Sequence, residues 1–309
     1  MQSVKQVGIV GAGLIGQSWS ALCLARGLDV ILFDPRPEAE AQARLFAEQA
    51  WPMLRSLNLA TSEQPRRARF TAAIEDLGEV DFIQENGPDR LEVKQDTVRQ
   101  LELHISPDVI IASSTSSLLA SDIQQHARGP QRILVAHPMN PPHAVPLVEL
   151  VAGQSTSEQA LAGAEGFYQS LERVTIRVQQ EVVGHLANRL TAALYREAVH
   201  IAAQGIASIE DIDKAIAYGP GMRWALMGPH LIYHLGGGPG GYRHYLDHLG
   251  PTQEARWQHL GTPKLTDEVK QLLIDGMQQA LEKHDSDSLL TRRDEALAEL
   301  FSLKKKHGF

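Results

Sequence analysis

The chain carries a single cysteine, Cys23, among 309 residues, which rules out an internal disulfide framework of the kind small secreted domains rely on. It has no apolar run near the roughly 18 residues a membrane span needs, and no charged-then-apolar leader follows Met1. Both absences point to a cytoplasmic, soluble protein with no membrane partner. Cationic charge is scarce as well: 29 Lys+Arg stand against 37 Asp+Glu, a net charge of −8, and that balance argues against general nucleic-acid binding. There is no internal repeat at solenoid period. No HExxH or cysteine cluster is present either, so the pairs His230/His234 and His244/His248 are read as packed or solvent-facing histidines and no metal is expected.

What remains is a chain with 43% hydrophobic and 21% charged residues, long enough for two domains that each bury a core. The first half alternates short Val/Ile-rich runs with longer periodic stretches. Val7–Val10, Val30–Phe33, Phe82–Gln84, Val109–Ala112, Ile133–Ala136, Leu147–Val151 and Val174–Val178 read as strands. Glu38–Leu57, Arg90–Leu103 and Glu158–Leu171 read as helices, the last behind Ser157 as N-cap. This is the pattern of a parallel sheet covered by helices. After Val178 the β-branched runs stop, and Glu181–Gln204 reads as one long helix. The fold class is therefore α/β, an N-terminal Rossmann-type doubly wound sheet over 1–180 followed by an all-helical C-terminal domain over 181–309. The helices of the second domain are broken at Tyr218–Gly221, at Gly228-Pro229 and by the glycine-rich stretch 236–241.

Directly after the first strand stand Gly11, Ala12, Gly13, Leu14, Ile15 and Gly16, and a helical stretch follows. Strand, glycine turn and helix in that order form a dinucleotide fingerprint. Gly11 makes the tight turn, Gly13 lets the backbone approach a pyrophosphate, and Gly16 lets helix pack on strand. The next strand ends at Asp34, where a carboxylate accepts ribose hydroxyls and repels the 2′-phosphate of NADP. NAD is the expected cofactor, with Arg36 as the one nearby residue able to neutralise such a phosphate.

Ligands of open parallel sheets bind outside the carboxyl ends of the strands, and three polar features lie there: the run Ser113-Ser114-Thr115-Ser116-Ser117, the segment His137–Pro142, and Glu149 in an otherwise apolar strand. Oxidising a secondary alcohol needs a base for the hydroxyl proton, a role that suits a histidine, and a buried carboxylate on the other ring nitrogen would fix its tautomer. His137 and Glu149 are the candidates. Ser116, and Asn188 from the second domain, could hydrogen-bond the reacting oxygen.

Together these residues resemble the 3-hydroxyacyl-CoA dehydrogenase superfamily. The likeness runs over nearly the whole chain: the fingerprint, Gln84–Lys94, the Ser/Thr run, His137-Pro-Met-Asn-Pro, Pro-Leu-Val-Glu149 and Asn188-Arg-Leu. It implies His137 as general base, Glu149 as its partner, and Ser116 and Asn188 on the substrate oxygen. It also implies Asp89 and Lys94 at the nicotinamide ribose, Asp89 standing where that family usually has Glu. A homodimer through the C-terminal domain is a further implication. The segment Tyr218–Pro229 is closer to the branch that acts on free hydroxy acids, carnitine-like or gulonate-like, than to the acyl-CoA enzymes. Arg223, beside Trp224, could pair bidentately with a free carboxylate, whereas a thioester offers no such charge. Arg223 and Lys94 are thus the cations expected to handle an anion. A quaternary ammonium substrate would call for an aromatic cage, with Trp224, Tyr195, Tyr233, Tyr242 and Tyr245 available. The alternatives are a 3-hydroxyacyl-CoA dehydrogenase and a non-enzymatic, NAD-binding or crystallin-like protein.

Overall fold

The computed structural model describes residues 4–282 and 286–309. The chain divides into two compact units, the first ending at Arg189 and the second running from Leu190 to Phe309.

In the first unit eight strands form one sheet: β1 (Gln6–Val10), β2 (Asp29–Phe33), β3 (Arg69–Thr71), β4 (Phe82–Glu85), β5 (Ile110–Ser113), β6 (Ile133–Pro138), β7 (Leu147–Ala152) and β8 (Val174–Val178). Their spatial order is β3-β2-β1-β4-β5-β6-β7-β8. The crossover reverses between β1 and β4, which makes that crevice the topological switch point. Helices α1 (Leu14–Ala25), α2 (Ala39–Ser56), α3 (Leu91–Leu101), α4 (Ala120–Gln124) and α5 (Glu158–Ser170) cover the sheet. Ser157 caps α5 by accepting from the Ala160 N–H at 3.1 Å, as its position in the sequence predicts. One core cluster joins Ile31, Ile83, Ile111 and Val135 to Val98 and Leu101 of α3 and Ile123 of α4. A separate aromatic group includes Phe82 stacked on Phe167 at 4.1 Å and Trp19 at 5.4 Å from Tyr168.

Two sequence expectations need correction here. The sheet is parallel except at one seam, where β7 runs antiparallel to β6 and brings His137 directly opposite Glu149. Nothing in the hydrophobic pattern distinguishes that direction, because a buried strand reads as a continuous apolar run either way. The stretch Glu181–Gln204 is also not one helix: α6 spans Ala187–Ala203, and turns occupy residues 183–186. Gly184 and His185 adopt φ of 80° and 49°, a left-handed conformation that a right-handed helix cannot contain.

The second unit consists, among its described residues, of the rest of α6 with α7 (Ile209–Tyr218), α8 (Pro220–Trp224), α9 (Pro229–Gly236), α10 (Gly241–Gln258), α11 (Asp267–Leu281) and α12 (Ser286–His307). The glycine-rich stretch does hold regular structure, a 3₁₀ turn over Gly238–Gly240 that links α9 to α10. Only Gly238 and Gly241 within it need positive φ, so the other glycines leave helical backbone intact.

Candidate active site

The fingerprint has the geometry of a dinucleotide cradle. Gly11 turns with φ of 86°, and its N–H donates to the Phe33 carbonyl at 2.8 Å. A Cβ on Gly16 would lie 1.8 Å from the Gly11 carbonyl oxygen, whereas one on Gly13 would meet nothing within 4 Å. Gly16 is thus required by packing, and the space beside Gly13 stays open. Helix α1 starts at that point with no side-chain cap and no acidic residue in its first turn, which leaves its amides and its positive dipole end free for an anion. These residues fit the pyrophosphate of NAD. Replacing Gly16 with Ala should abolish measurable NAD binding while far-ultraviolet circular dichroism still reports a folded chain; NAD affinity within tenfold of wild type in a calorimetric titration would show that the turn relaxes around the clash.

At the end of β2, Asp34 is nearly buried. Its Oδ2 accepts from the Ala12 N–H at 2.8 Å and from Arg36 Nη2 at 2.9 Å, and its Oδ1 accepts from the Arg36 N–H at 3.0 Å and Nε at 2.9 Å. Burial pushes the carboxyl pKa up, but the hydrogen bonds from Arg36 and Ala12 outweigh it and hold it below the usual carboxylate value. Asp34 is therefore fixed as an anion.

The antiparallel seam builds the second part of the site. Residues directly opposite one another in such a pair project on the same face, and His137 Nδ1 lies 2.8 Å from Glu149 Oε2. Glu149 has no solvent exposure and His137 only 6%. The other carboxylate oxygen, Oε1, accepts from the Leu186 and Ala187 N–H groups, both at 2.9 Å. Burial raises the Glu149 pKa, yet the His137 hydrogen bond and these two amides together bring it below the ordinary value. An ionised carboxylate only accepts, so Nδ1 of a neutral His137 must carry the hydrogen, which leaves Nε2 with its lone pair.

His137 shares the wall of a cavity of about 420 Å³ with Ile15 of the fingerprint and with Asn86, Asp89, Lys94, Ser116, Asn140 and Asn188. Of the candidates from the sequence, Ser116, Asn188, Asp89 and Lys94 thus gather around His137, with Glu149 behind it. Asn188 belongs to the first compact unit, at the start of α6. Asp89 binds the Ser/Thr run: it accepts from Thr115 Oγ1, from Ser116 Oγ at 3.2 Å and from Ser117 Oγ at 2.9 Å. Lys94 departs from expectation as a cation for an anionic ligand. Its Nζ is buried, 2.8 Å from Glu85 Oε2 and 3.2 Å from the Gly87 carbonyl, so its charge is already matched. Glu85, which also accepts from Ser113 Oγ at 2.6 Å, is not among the site candidates read from the sequence. An acid closing the apolar strand β4 was the available signal, the same one that marked Glu149. Gln84 is not among those candidates either; its Nε2 donates to Ser114 Oγ at 2.8 Å while Ser114 Oγ donates to Asn86 Oδ1 at 2.7 Å. This partly buried chain fixes the polar loops from below.

Arg223 and Trp224 lie in the second unit, on the one-and-a-half-turn helix α8 rather than in an irregular turn, and both are exposed. Three of the five aromatic candidates converge, as a stack rather than an open box. Tyr233 lies 4.3 Å from Tyr245, and Tyr242 lies 6.2 Å from Tyr245, both pairs at 7°. Among the described residues no group of three or more His, Cys, Asp or Glu is arranged to hold a metal ion, and no helix is long and apolar enough to cross a membrane.

The chain is similar to known proteins over nearly its whole length. The family profile described as 3-hydroxyacyl-CoA dehydrogenase, NAD binding domain, matches residues 6–182, and the one described as 3-hydroxyacyl-CoA dehydrogenase, C-terminal domain, matches residues 184–272. The chain is 41% identical to L-carnitine dehydrogenase of Streptomyces coelicolor, covering 99% of this chain and 97% of the relative. It is 40% identical to L-carnitine dehydrogenase of Pseudomonas aeruginosa, with 99% and 97% covered. Among solved structures, it resembles an NAD+-dependent dismutase, 5-formyl-3-hydroxy-2-methylpyridine 4-carboxylic acid 5-dehydrogenase, at 25% identity and a TM-score of 0.84 over 98% of this chain and 99% of that one. (S)-3-hydroxybutyryl-CoA dehydrogenase from Ralstonia eutropha aligns at 27% identity and a TM-score of 0.65 over 71% and 78% of the two chains.

Proposed function

The chain belongs to the 3-hydroxyacyl-CoA dehydrogenase family, and from that premise we propose that this NAD-dependent oxidoreductase oxidises the 3-hydroxyl of a small free 3-hydroxy carboxylate, carnitine-like or gulonate-like, to the 3-keto acid. The observation that carries the reading is the buried His137–Glu149 contact of 2.8 Å on the wall of a cavity beside the fingerprint. His137 Nε2 takes the hydroxyl proton, and Glu149 balances the imidazolium charge that results. Ser116 and Asn188 hold the reacting oxygen. Bound NAD supplies the hydride acceptor. Asp34, held in place by the Ala12 N–H, would receive the hydroxyls of the adenosine ribose. Asp89, held by three hydroxyls, and Lys94 line the cavity where the nicotinamide ribose would lie.

The free-acid assignment rests on Arg223 and on the names of the relatives. A guanidinium with no carboxylate partner among the described residues suits a substrate carboxylate. The family name supports a second reading, an acyl-CoA thioester as substrate, and a non-catalytic NAD-binding protein is a third. One assay separates them: NADH absorbance followed over L-carnitine, L-gulonate, simple 3-hydroxy acids and 3-hydroxybutyryl-CoA. The free acids should turn over, and Arg223→Met should raise their KM about tenfold or more, the scale of one lost charge-assisted pair. Faster turnover of the thioester, or an unchanged KM, would assign Arg223 to structure. Silence across the panel with NAD still bound would leave the non-catalytic reading.

A homodimer is part of the proposal. In the second unit Leu231, Leu235, Leu246, Leu249 and Trp257 are 47 to 64% exposed on α9 and α10, apolar side chains that a second copy of the chain would cover. Light scattering at micromolar concentration should return twice the chain mass of 33.9 kDa; a monomeric mass would reject it.

A further inference from the structure

His185 enters no step above, yet it is 1% exposed and its ring centroid lies 5.1 Å from that of His137. We propose that His185 is a positioning residue for the dyad, its ring pinned to the Thr115 carbonyl so that the turn it occupies delivers the Leu186 and Ala187 amides to Glu149. The inference rests on His137 and Glu149 being the working pair of the reaction proposed above.

Several observations converge on it. His185 Nε2 is 3.2 Å from the Thr115 carbonyl oxygen, which only accepts, so Nε2 carries the hydrogen and Nδ1 is the acceptor. That Nδ1 has no hydrogen-bond partner among the described residues, a cost a fold rarely bears without a compensating use. The backbone φ of 49° is tolerated better by His than by most residues. It closes a turn in which the His185 N–H donates to the Val182 carbonyl at 3.1 Å, and the next two amides point at Glu149 Oε1. Thr115 in turn is bound to Asp89. One ring thus ties the Ser/Thr loop after β5, the turn before α6 and the face of His137 together.

The imidazole suits this place because it remains neutral. Burial lowers the His185 pKa, the charge of His137 lowers it further, and the Thr115 carbonyl, Glu149 and Asp89 oppose that without reversing it. A neutral neighbour leaves Glu149 free to balance the charge on His137 alone, whereas a cation there would compete for the same carboxylate.

The test uses His185→Phe, which keeps a ring but has no N–H, and His185→Gln, whose Nε2 can reach the same carbonyl. Amide hydrogen exchange of the full-length protein is the first readout. Leu186 and Ala187 should exchange at least tenfold faster in the Phe variant and return to within threefold of wild type in the Gln variant, with both melting temperatures recorded to show folding. Turnover is the second: the Phe variant should lose at least tenfold in kcat with KM for NAD within twofold, and Gln should recover most of the loss. Unchanged exchange at both amides in His185→Phe, or loss without rescue by Gln, would overturn the inference. If the wild type oxidises nothing in the substrate panel, the proposed reaction fails on its own, and the exchange comparison still decides the placement of His185.

Discussion

Replacing His137 with Gln should lower kcat by about 10³-fold, within the 10² to 10⁴ that a positioned general base contributes, a loss of roughly 4 kcal/mol in transition-state stabilisation. Gln can still donate to Glu149 Oε2, so the buried carboxylate retains a partner and the fold should persist. What it lacks is a second nitrogen with a lone pair to accept a proton. NAD affinity should stay within about twofold, because the groups that fit the dinucleotide, the Gly11 turn, the amides of α1 and Asp34, are left in place by the substitution. Steady-state kinetics with the best substrate of the panel, beside a calorimetric NAD titration, measures both quantities. Turnover comparable to wild type would remove His137 as the base, and a parallel collapse of NAD binding would mean that the variant disturbs the sheet and not the chemistry.

Glu149→Gln should be nearly as severe, about 10² to 10³-fold in kcat, for a reason of hydrogen-bond arithmetic. The carboxylate accepts on both oxygens, His137 on one side and two amides on the other. A carboxamide accepts on only one. If its NH₂ faces His137, the ring must turn to the tautomer with hydrogen on Nε2, and the base is lost. If its NH₂ faces Leu186 and Ala187, donors meet donors in a buried space, at a cost of about 1–3 kcal/mol. The same change carries a pH signature. Glu149 has a folded pKa below its ordinary value, so the unfolded chain binds its proton more readily than the native one. The stability it contributes is complete above the unfolded carboxylate pKa and is lost as pH falls through the folded one. Wild-type melting temperature should therefore drop between about pH 5 and pH 3 more steeply than that of Glu149→Gln. Parallel curves in differential scanning fluorimetry would show that Glu149 gains nothing from its partners in the native state.

Both predictions depend on features that differ in how plainly the sequence displays them. The fingerprint is local: turn, approach and packing are each set by a residue within one strand–turn–helix, so Gly11, Gly13 and Gly16 can be assigned from order and spacing alone. His137 and Glu149 stood out one at a time, as polar residues at or within apolar strands, but their 12-residue separation fits many geometries. Lys94 reads from the sequence as an available cation because the acid that matches it, Glu85, lies nine residues away and meets it only when α3 packs over β4. His185 gave no signal at all. It is a lone histidine after a glycine, and its importance comes from three segments distant in the chain.

The sequence by itself determined the α/β architecture, the NAD half and the helical half, and the residue types available for alcohol oxidation, because hydrophobic period, glycine conformation and charge are properties of neighbouring residues. Only the tertiary structure decided that β7 runs against β6, which sets Glu149 beside His137, and that the chain turns at Gly184 and His185 before α6, which aims two amides at the far side of that carboxylate. Strand direction and loop path follow from which buried groups find partners once the sheet is assembled, and a linear pattern holds no record of that.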